Sequence, residues 1–188
     1  RQRPVTRWDG GVVTTTDRLT LRTFREDDLP LYAALNADPE VVEFLGGPLS
    51  RNGSDRIAAY ANDLWAGEGI GLLAVERTAD GTFLGMCGIH VLDSYPDDLE
   101  AGWRLARQHW GRGYATEAAA AWLRIAFEDH GAPRVISVTD PPNRRSIAVM
   151  ERLGMTVDHE ADIEEDGEAF HAVVHAITRG RWFERAAR

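Results

Sequence analysis

The 188-residue sequence contains no lysine, a single cysteine and no long apolar run, and the last two of these shortages each exclude a class of protein. Cys87 alone can form neither an internal disulfide nor a zinc site, which excludes disulfide-stabilised and cysteine-rich metal folds. No segment approaches the roughly 18 to 20 consecutive apolar residues that a membrane helix needs, and residues 1–7 lack the apolar core of a secretory signal. We therefore expect a soluble, cytoplasmic protein. All 21 basic residues are arginine, which we attribute to codon bias.

Negative charge prevails, with 30 acidic against 21 basic residues and a net charge of −9. Such a balance opposes attraction to nucleic acids and to anionic membranes, so neither is expected as a partner. The content of 44% hydrophobic and 27% charged residues is typical of a globular protein, and the length fits one core. We expect residues 1–16 to form an N-terminal arm and residues 17–188 to form a single domain.

Hydrophobic periodicity predicts alternating strands and helices of an α/β (α+β) fold. Strands are predicted at 18–24, 70–77, 82–92, 99–106, 134–139, 155–163 and 169–178. A first helix starts at the acidic residues 26–28, and a second is capped by Ser54 and ends near Gly67 and Gly69. Further helices are predicted at 114–129 and 146–153, with a last turn at 181–183. This order indicates one mixed sheet of about seven strands covered by helices.

The most informative segment runs from the predicted strand near Trp103 through Gly111 and Gly113 into a helix. Glycines allow a tight turn, and the first amides of a helix have no partners within it. These amides can bind a phosphate or pyrophosphate, with Arg112 and the helix dipole adding positive potential. An ordinary strand-to-helix connection would explain the same glycines. A Rossmann turn is excluded because Thr116 occupies the third small position, and a P-loop is excluded because no Gly-Lys-Ser/Thr follows.

A second segment, 143–155, begins a short helix behind Asp140-Pro141-Pro142 and ends it at Gly154. Asn143 suits the cap of this helix. The same side chain, at the mouth of a strand, would also suit a ligand that carries amide groups. Both interpretations stay open at this point.

Together the two segments resemble the GNAT N-acetyltransferases, in particular the ribosomal-protein N-terminal acetyltransferases of the RimJ/RimL type. The resemblance covers about residues 17–184 and rests on Asp17-Arg-Leu-Thr-Leu-Arg22, Asp38-Pro-Glu-Val-Val-Glu-Phe44, Glu100-x-Gly-Trp103, Trp110-Gly-Arg-Gly-Tyr-Ala-Thr-Glu117, Asn143-x-x-Ser146 and Leu153-Gly-Met155. It implies a GNAT-like domain with a mixed, mostly antiparallel twisted sheet that splays between its fourth and fifth strands. It also implies acetyl-CoA as co-substrate, no metal, and an amine acceptor, either a protein N-terminus or a small molecule. A homodimer is left open.

The resemblance assigns the cofactor-binding residues. The pyrophosphate of acetyl-CoA would be bound by Gly111, Arg112, Gly113, Tyr114, Ala115 and Thr116. Trp110 departs from the family pattern, since Gln or Arg is usual at its position. The pantetheine arm would pair with the backbone of Trp103 and Leu105 on one side and with Asn143 on the other.

Acetyl transfer to an amine needs a neutral amine, a polarised thioester carbonyl and a protonated leaving thiol. We expect Glu100, on the central strand, to be the base, acting through a water molecule. The alternative role is anchoring of a substrate ammonium, with Glu43 the next carboxylate considered. The tyrosine acid of many relatives has no counterpart in 147–155, so Ser146 is the candidate acid, with cofactor binding as its alternative. An amide near Leu105 would hold the oxyanion.

An alternative from a different functional class is a CoA-binding regulatory module that has lost catalysis. Release of thiol with a panel of amines would distinguish the two. His171 and His175 have the spacing of metal ligands on a helix, but they lie in a predicted strand without a third ligand, so no metal site is expected. Acceptor specificity is expected to come from the loops at 38–56 and 160–170.

Overall fold

The computed structural model describes residues 8–165 and 167–187. Within them, one sheet has the strand order β1-β2-β3-β4-β5-β6-β8-β7, and every neighbouring pair is antiparallel except β5 and β6. The strands are β1 (Val12–Thr15), β2 (Leu19–Arg22), β3 (Gly71–Arg77), β4 (Thr82–Leu92), β5 (Tyr95–Leu105), β6 (Arg134–Thr139), β7 (Thr156–Glu165) and β8 (Glu168–Thr178). The helices are α1 (Asp28–Ala37), α2 (Arg51–Glu68), α3 (Tyr114–Glu128), α4 (Arg144–Arg152) and α5 (Arg179–Ala186). The predicted fold class is confirmed.

The sheet has one strand more than the seven that the sequence predicts. Residues 12–15 lie within the predicted N-terminal arm but form β1, which pairs with β2. This strand lies at the edge of the sheet and none of its residues is buried, so no apolar alternation marks it. The predicted fourth and fifth strands are consequently β5 and β6 here. Residues 1–7 lie outside the described residues.

Helix α2 begins earlier than predicted, because Ser50 rather than Ser54 caps it. The Ser50 hydroxyl accepts a hydrogen bond from the Gly53 amide at 3.1 Å. Ser54 lies one turn inside the helix, fully buried, and its hydroxyl accepts from the Asn36 side-chain amide at 2.8 Å. The predicted turn at 181–183 is likewise too short, since these residues belong to α5.

A buried ion-pair cluster joins β2, β3 and α1. The Arg22 guanidinium, whose side chain is 2% exposed, contacts the Asp28 carboxylate at 2.6 Å and the Glu76 carboxylate at 2.9 Å. Asp28 is the first residue of α1, so the acid at this helix start also neutralises a buried charge. The apolar core extends from here to α3, which packs across β2, β4 and β5.

No helix among the described residues is both long enough and apolar enough to cross a membrane.

Candidate active site

The loop before α3 presents a row of free amide groups. Gly111 and Gly113 have φ values of 72° and 81°, in the left-handed region that side chains disfavour. The first helical bond of α3 runs from the Glu117 amide to the Gly113 carbonyl, at 3.0 Å. The amides of residues 111–116 donate to no atom of the described residues. Unpaired N–H groups at the positive end of a helix can form a site for an anion.

Arg18, in the turn between β1 and β2, connects this loop to the sheet through hydrogen bonds and a cation–π contact. Its Nη1 donates to the Arg112 carbonyl at 3.0 Å, its Nε donates to Glu117 Oε2 at 2.7 Å, and its guanidinium lies 4.7 Å from the Tyr114 ring centroid. Glu117 also accepts from the Thr16 hydroxyl at 2.5 Å. Burial acts to raise the pKa of Glu117, but the hydrogen bonds from Thr16 and Arg18 outweigh it, so that the pKa lies below its usual value. Nothing in the sequence pattern pairs Arg18 with Glu117, which is 99 positions away.

Arginines gather around this loop although the protein is acidic. Arg112 and Arg144 are exposed and form no ion pair with any residue that the structure describes. Arg145 packs against the Trp110 ring, 4.4 Å from its centroid, and pairs with Glu43 at 3.1 Å. The carboxylate of Glu43, the second candidate base, is thus half-exposed and bound to an arginine.

Strands β5 and β6 separate directly after Glu100 and Ile136, the last pair of their parallel ladder. In a regular parallel ladder the next bond would join the Val138 amide to the Ala101 carbonyl. Instead, the Val138 amide donates to Glu100 Oε1 at 3.2 Å, and the Ala101 carbonyl accepts from the Ser137 hydroxyl at 2.8 Å. Two side chains therefore replace the backbone bond at the point where the strands splay.

Backbone groups of Trp103 and Leu105 point into the gap. The Ala106 amide donates to the Leu84 carbonyl of β4 at 2.9 Å, and alternate residues of a strand direct their backbone groups to opposite sides. Trp103 and Leu105 therefore face β6, beyond the end of its ladder with β5. The Leu105 carbonyl accepts from the Trp110 indole at 2.8 Å, which holds the glycine loop against the strand.

Glu100 lies at the start of the splay with little contact to solvent. Its residue is 7% exposed, and its Oε2 is 2.6 Å from His90 Nε2 on β4, directly opposite in the antiparallel register. A Cβ at Gly102 would come within 3.4 Å of the same oxygen, so glycine leaves room for the carboxylate. His90 was not singled out in the sequence, because only the register of β4 and β5 identifies it as the partner of Glu100.

Asn143 and Ser146 lie where β6 leads into α4. Asn143 is the N-cap: its Oδ1 accepts from the Ser146 amide at 3.2 Å, and its Nδ2 donates to the Thr139 hydroxyl at 2.9 Å. The capping interpretation is therefore correct, and one N–H of the Asn143 amide remains for a ligand. The half-buried Ser146 hydroxyl bonds to no described residue. At the same strand end, burial raises the pKa of Asp140, a carboxyl that sequence reasoning did not consider.

Comparison with known proteins identifies the family. The protein-family model described as acetyltransferase (GNAT) domain matches residues 18–156 of the sequence. The chain belongs to the GNAT acetyltransferases. It is 34% identical over 143 residues to the uncharacterized protein YkkB of Bacillus subtilis, covering 74% of this chain and 83% of YkkB. It is 28% identical to the FsC-acetyl coenzyme A-N(2)-transacetylase of Aspergillus fumigatus, over 89% of this chain and 82% of that protein. The crystal structure of an acetyltransferase from Agrobacterium tumefaciens superposes with a TM-score of 0.76 at 34% identity, over 87% and 92% of the two chains.

The geometry of this GNAT N-acetyltransferase fits acetyl-CoA, the co-substrate that the family uses. Free amides at the start of α3 match a diphosphate, and the backbone edge of β5 at the splay matches the amide groups of a pantetheine arm. No group of three or more His, Cys, Asp or Glu side chains within residues 8–165 and 167–187 could hold a metal ion.

Proposed function

We propose that this GNAT enzyme transfers the acetyl group of acetyl-CoA directly to a primary amine. One observation carries the proposal: the Glu100 carboxylate lies where β5 and β6 separate, three residues before the free backbone of Trp103 and on the strand that leads to the glycine loop. A candidate proton acceptor, an exposed strand edge and an anion site thus follow one another along one stretch of chain.

Backbone groups would do most of the binding and orienting of acetyl-CoA. When bound, acetyl-CoA supplies an activated thioester carbonyl. The amides of residues 111–116 would hold its diphosphate, and Trp103, Leu105 and Asn143 would hold its pantetheine arm. The Leu105 amide, which faces the gap, would polarise the carbonyl oxygen.

Proton transfer falls to two side chains. Glu100 would accept a proton from the acceptor amine, through a water molecule, so that the nitrogen lone pair can bond to the acetyl carbon. As the carbon–sulfur bond breaks, Ser146 would donate a proton to the leaving thiolate and recover one from solvent. The products are the N-acetylated amine and CoA.

Direct transfer is favoured over an acetylated enzyme because the sole cysteine is inaccessible. Cys87 is 1% exposed, and burial raises the pKa of its thiol well above the usual value. A buried, protonated thiol is a poor nucleophile, so Cys87 is unsuited to carry an acyl group.

We propose a protein N-terminal amine as acceptor, on the basis of the RimJ/RimL-type motifs. A small-molecule amine is the second candidate, because the Aspergillus fumigatus relative is named as an N(2)-transacetylase that uses acetyl coenzyme A.

The test measures thiol release from acetyl-CoA with N-terminal peptides of ribosomal proteins, aminoglycosides and polyamines. If Glu100 is the base, Glu100→Gln should lower kcat about a hundredfold, and the KM for acetyl-CoA should stay near that of the parent. If Glu100 only anchors an ammonium, the loss appears instead as a raised KM for the acceptor. The proposal would be contradicted if none of these amines increased the rate of thiol release by the parent enzyme.

A further inference from the structure

We infer that His90 is a positioning residue for this reaction, holding the Glu100 carboxylate in the orientation in which it can accept the proton. The inference rests on the proposed function. His90 lies outside the motifs on which the family resemblance rests, and its Nε2 is 2.6 Å from Glu100 Oε2.

The hydrogen bonds to Glu100 leave it able to accept a proton. Each carboxylate oxygen takes one N–H group, Oε2 from His90 and Oε1 from the Val138 amide. A carboxylate has about four lone-pair sites, so each oxygen keeps one for the incoming proton. The two donors come from strands on either side of β5, which fixes the plane of the carboxylate across the splay.

Burial makes the His90 contact important. The Glu100 side chain is 9% exposed and that of His90 is 22% exposed. A carboxylate with so little water needs hydrogen-bond donors from the protein, and a bond from an imidazole is among the stronger ones. Removing the imidazole would leave the Val138 amide as the one donor to the carboxylate among the residues that the structure describes, and the carboxylate could rotate away from the acceptor.

Two glycines beside His90 and Glu100 leave space for their side chains. His90 faces Glu100 across β4 and β5, and the next pair on the same face consists of two glycines, Gly88 and Gly102. A Cβ at Gly102 would lie 3.3 Å from Leu72 and 3.4 Å from Glu100 Oε2. A residue larger than glycine at 102 would therefore crowd both Leu72 and the Glu100 carboxylate.

The test uses His90→Leu, which removes the donor, and His90→Gln, which keeps an N–H group at a similar distance. With the panel amine that releases thiol fastest, we expect kcat of His90→Leu to fall by up to about 100-fold, because misplacing a reactive group by about 1 Å can cost that much. The KM for acetyl-CoA should stay near that of the parent, and His90→Gln should recover most of the rate. A kcat for His90→Leu equal to that of the parent would overturn the inference.

A double variant shows whether His90 acts through Glu100. If it does, Glu100→Gln combined with His90→Leu is no slower than Glu100→Gln alone, because residues that act as a unit are not additive. A further loss in the double variant, of the size seen for His90→Leu alone, would show an independent role and overturn the inference.

A third readout needs no turnover. The His90 ring resonances in the NMR spectrum of the resting enzyme should shift on Glu100→Gln, while those of the exposed His130 should not. Unchanged His90 resonances would refute the contact itself. A parent enzyme that acetylates no amine would instead refute the proposed function, so the two failures are distinguishable.

Discussion

Replacing Gly113 with valine separates a cofactor-binding loop from a simple connection. A side chain in the left-handed conformation costs about 1–2 kcal/mol, and in a domain of this size each kcal/mol lowers Tm by about 2–4 °C. The strain alone should therefore lower Tm by about 2–8 °C. The new Cβ would lie 3.4 Å from Arg18 Nη2, and the valine methyl groups would project from it beside the free amides.

Gly131 is the matched control, since its φ of 63° also lies in the left-handed region and it follows the far end of α3. A Cβ there would meet only Arg179 Nη1, at 3.9 Å. At a hundredfold excess over Kd, CoA should stabilise the parent and Gly131→Val by about 2.7 kcal/mol, or about 5–11 °C in Tm. Gly113→Val should lose this shift in differential scanning fluorimetry. Equal CoA shifts in both variants would show that the loop does not bind the cofactor.

Three further predictions concern stability and reactivity. Arg22→Met leaves the buried Asp28 carboxylate without its ion-pair partner and leaves Glu76 paired with the half-exposed Arg25, so urea denaturation should show a loss of about 3–5 kcal/mol in unfolding free energy. A loss near zero would contradict the cluster. Because the fold lowers the pKa of Glu117, its ionised form contributes stability above the unfolded pKa that is lost as pH falls through the folded pKa. Calorimetry should show the Tm difference between parent and Glu117→Gln to be largest near neutral pH and to shrink in acid, not to grow. A thiol reagent should label Cys87 only after denaturant is added, and rapid labelling of the native protein would contradict its burial.

The glycine loop and the strands around it could be predicted because their signals are local. The pattern from Trp103 to Gly113 shows strand, turn and helix start within a dozen residues, and the structure places each there. Strand β1 could not be predicted in this way, because an edge strand without buried residues has no apolar period. The choice between Ser50 and Ser54 as the cap depended on a buried contact with α1.

The parts of the site that sequence reasoning missed all depend on register or on distant contacts. Glu100 could be named from its motif, but His90 becomes its partner only through the pairing of β4 with β5. Arg18 reaches Glu117 across the fold, from a turn that follows an unpredicted strand. Two side-chain hydrogen bonds replace one backbone hydrogen bond between β5 and β6. This replacement likewise could be predicted only if the relative positions of the two strands were already known.

The intact mass of acceptor and enzyme after incubation with acetyl-CoA tests direct acetyl transfer most directly. We predict that a peptide N-terminus or a small amine of the panel gains one acetyl group, that the enzyme itself gains none, and that Glu100→Gln slows the gain. An acetyl group on the enzyme that is passed to the amine, or no acetylated amine at all, would contradict the account.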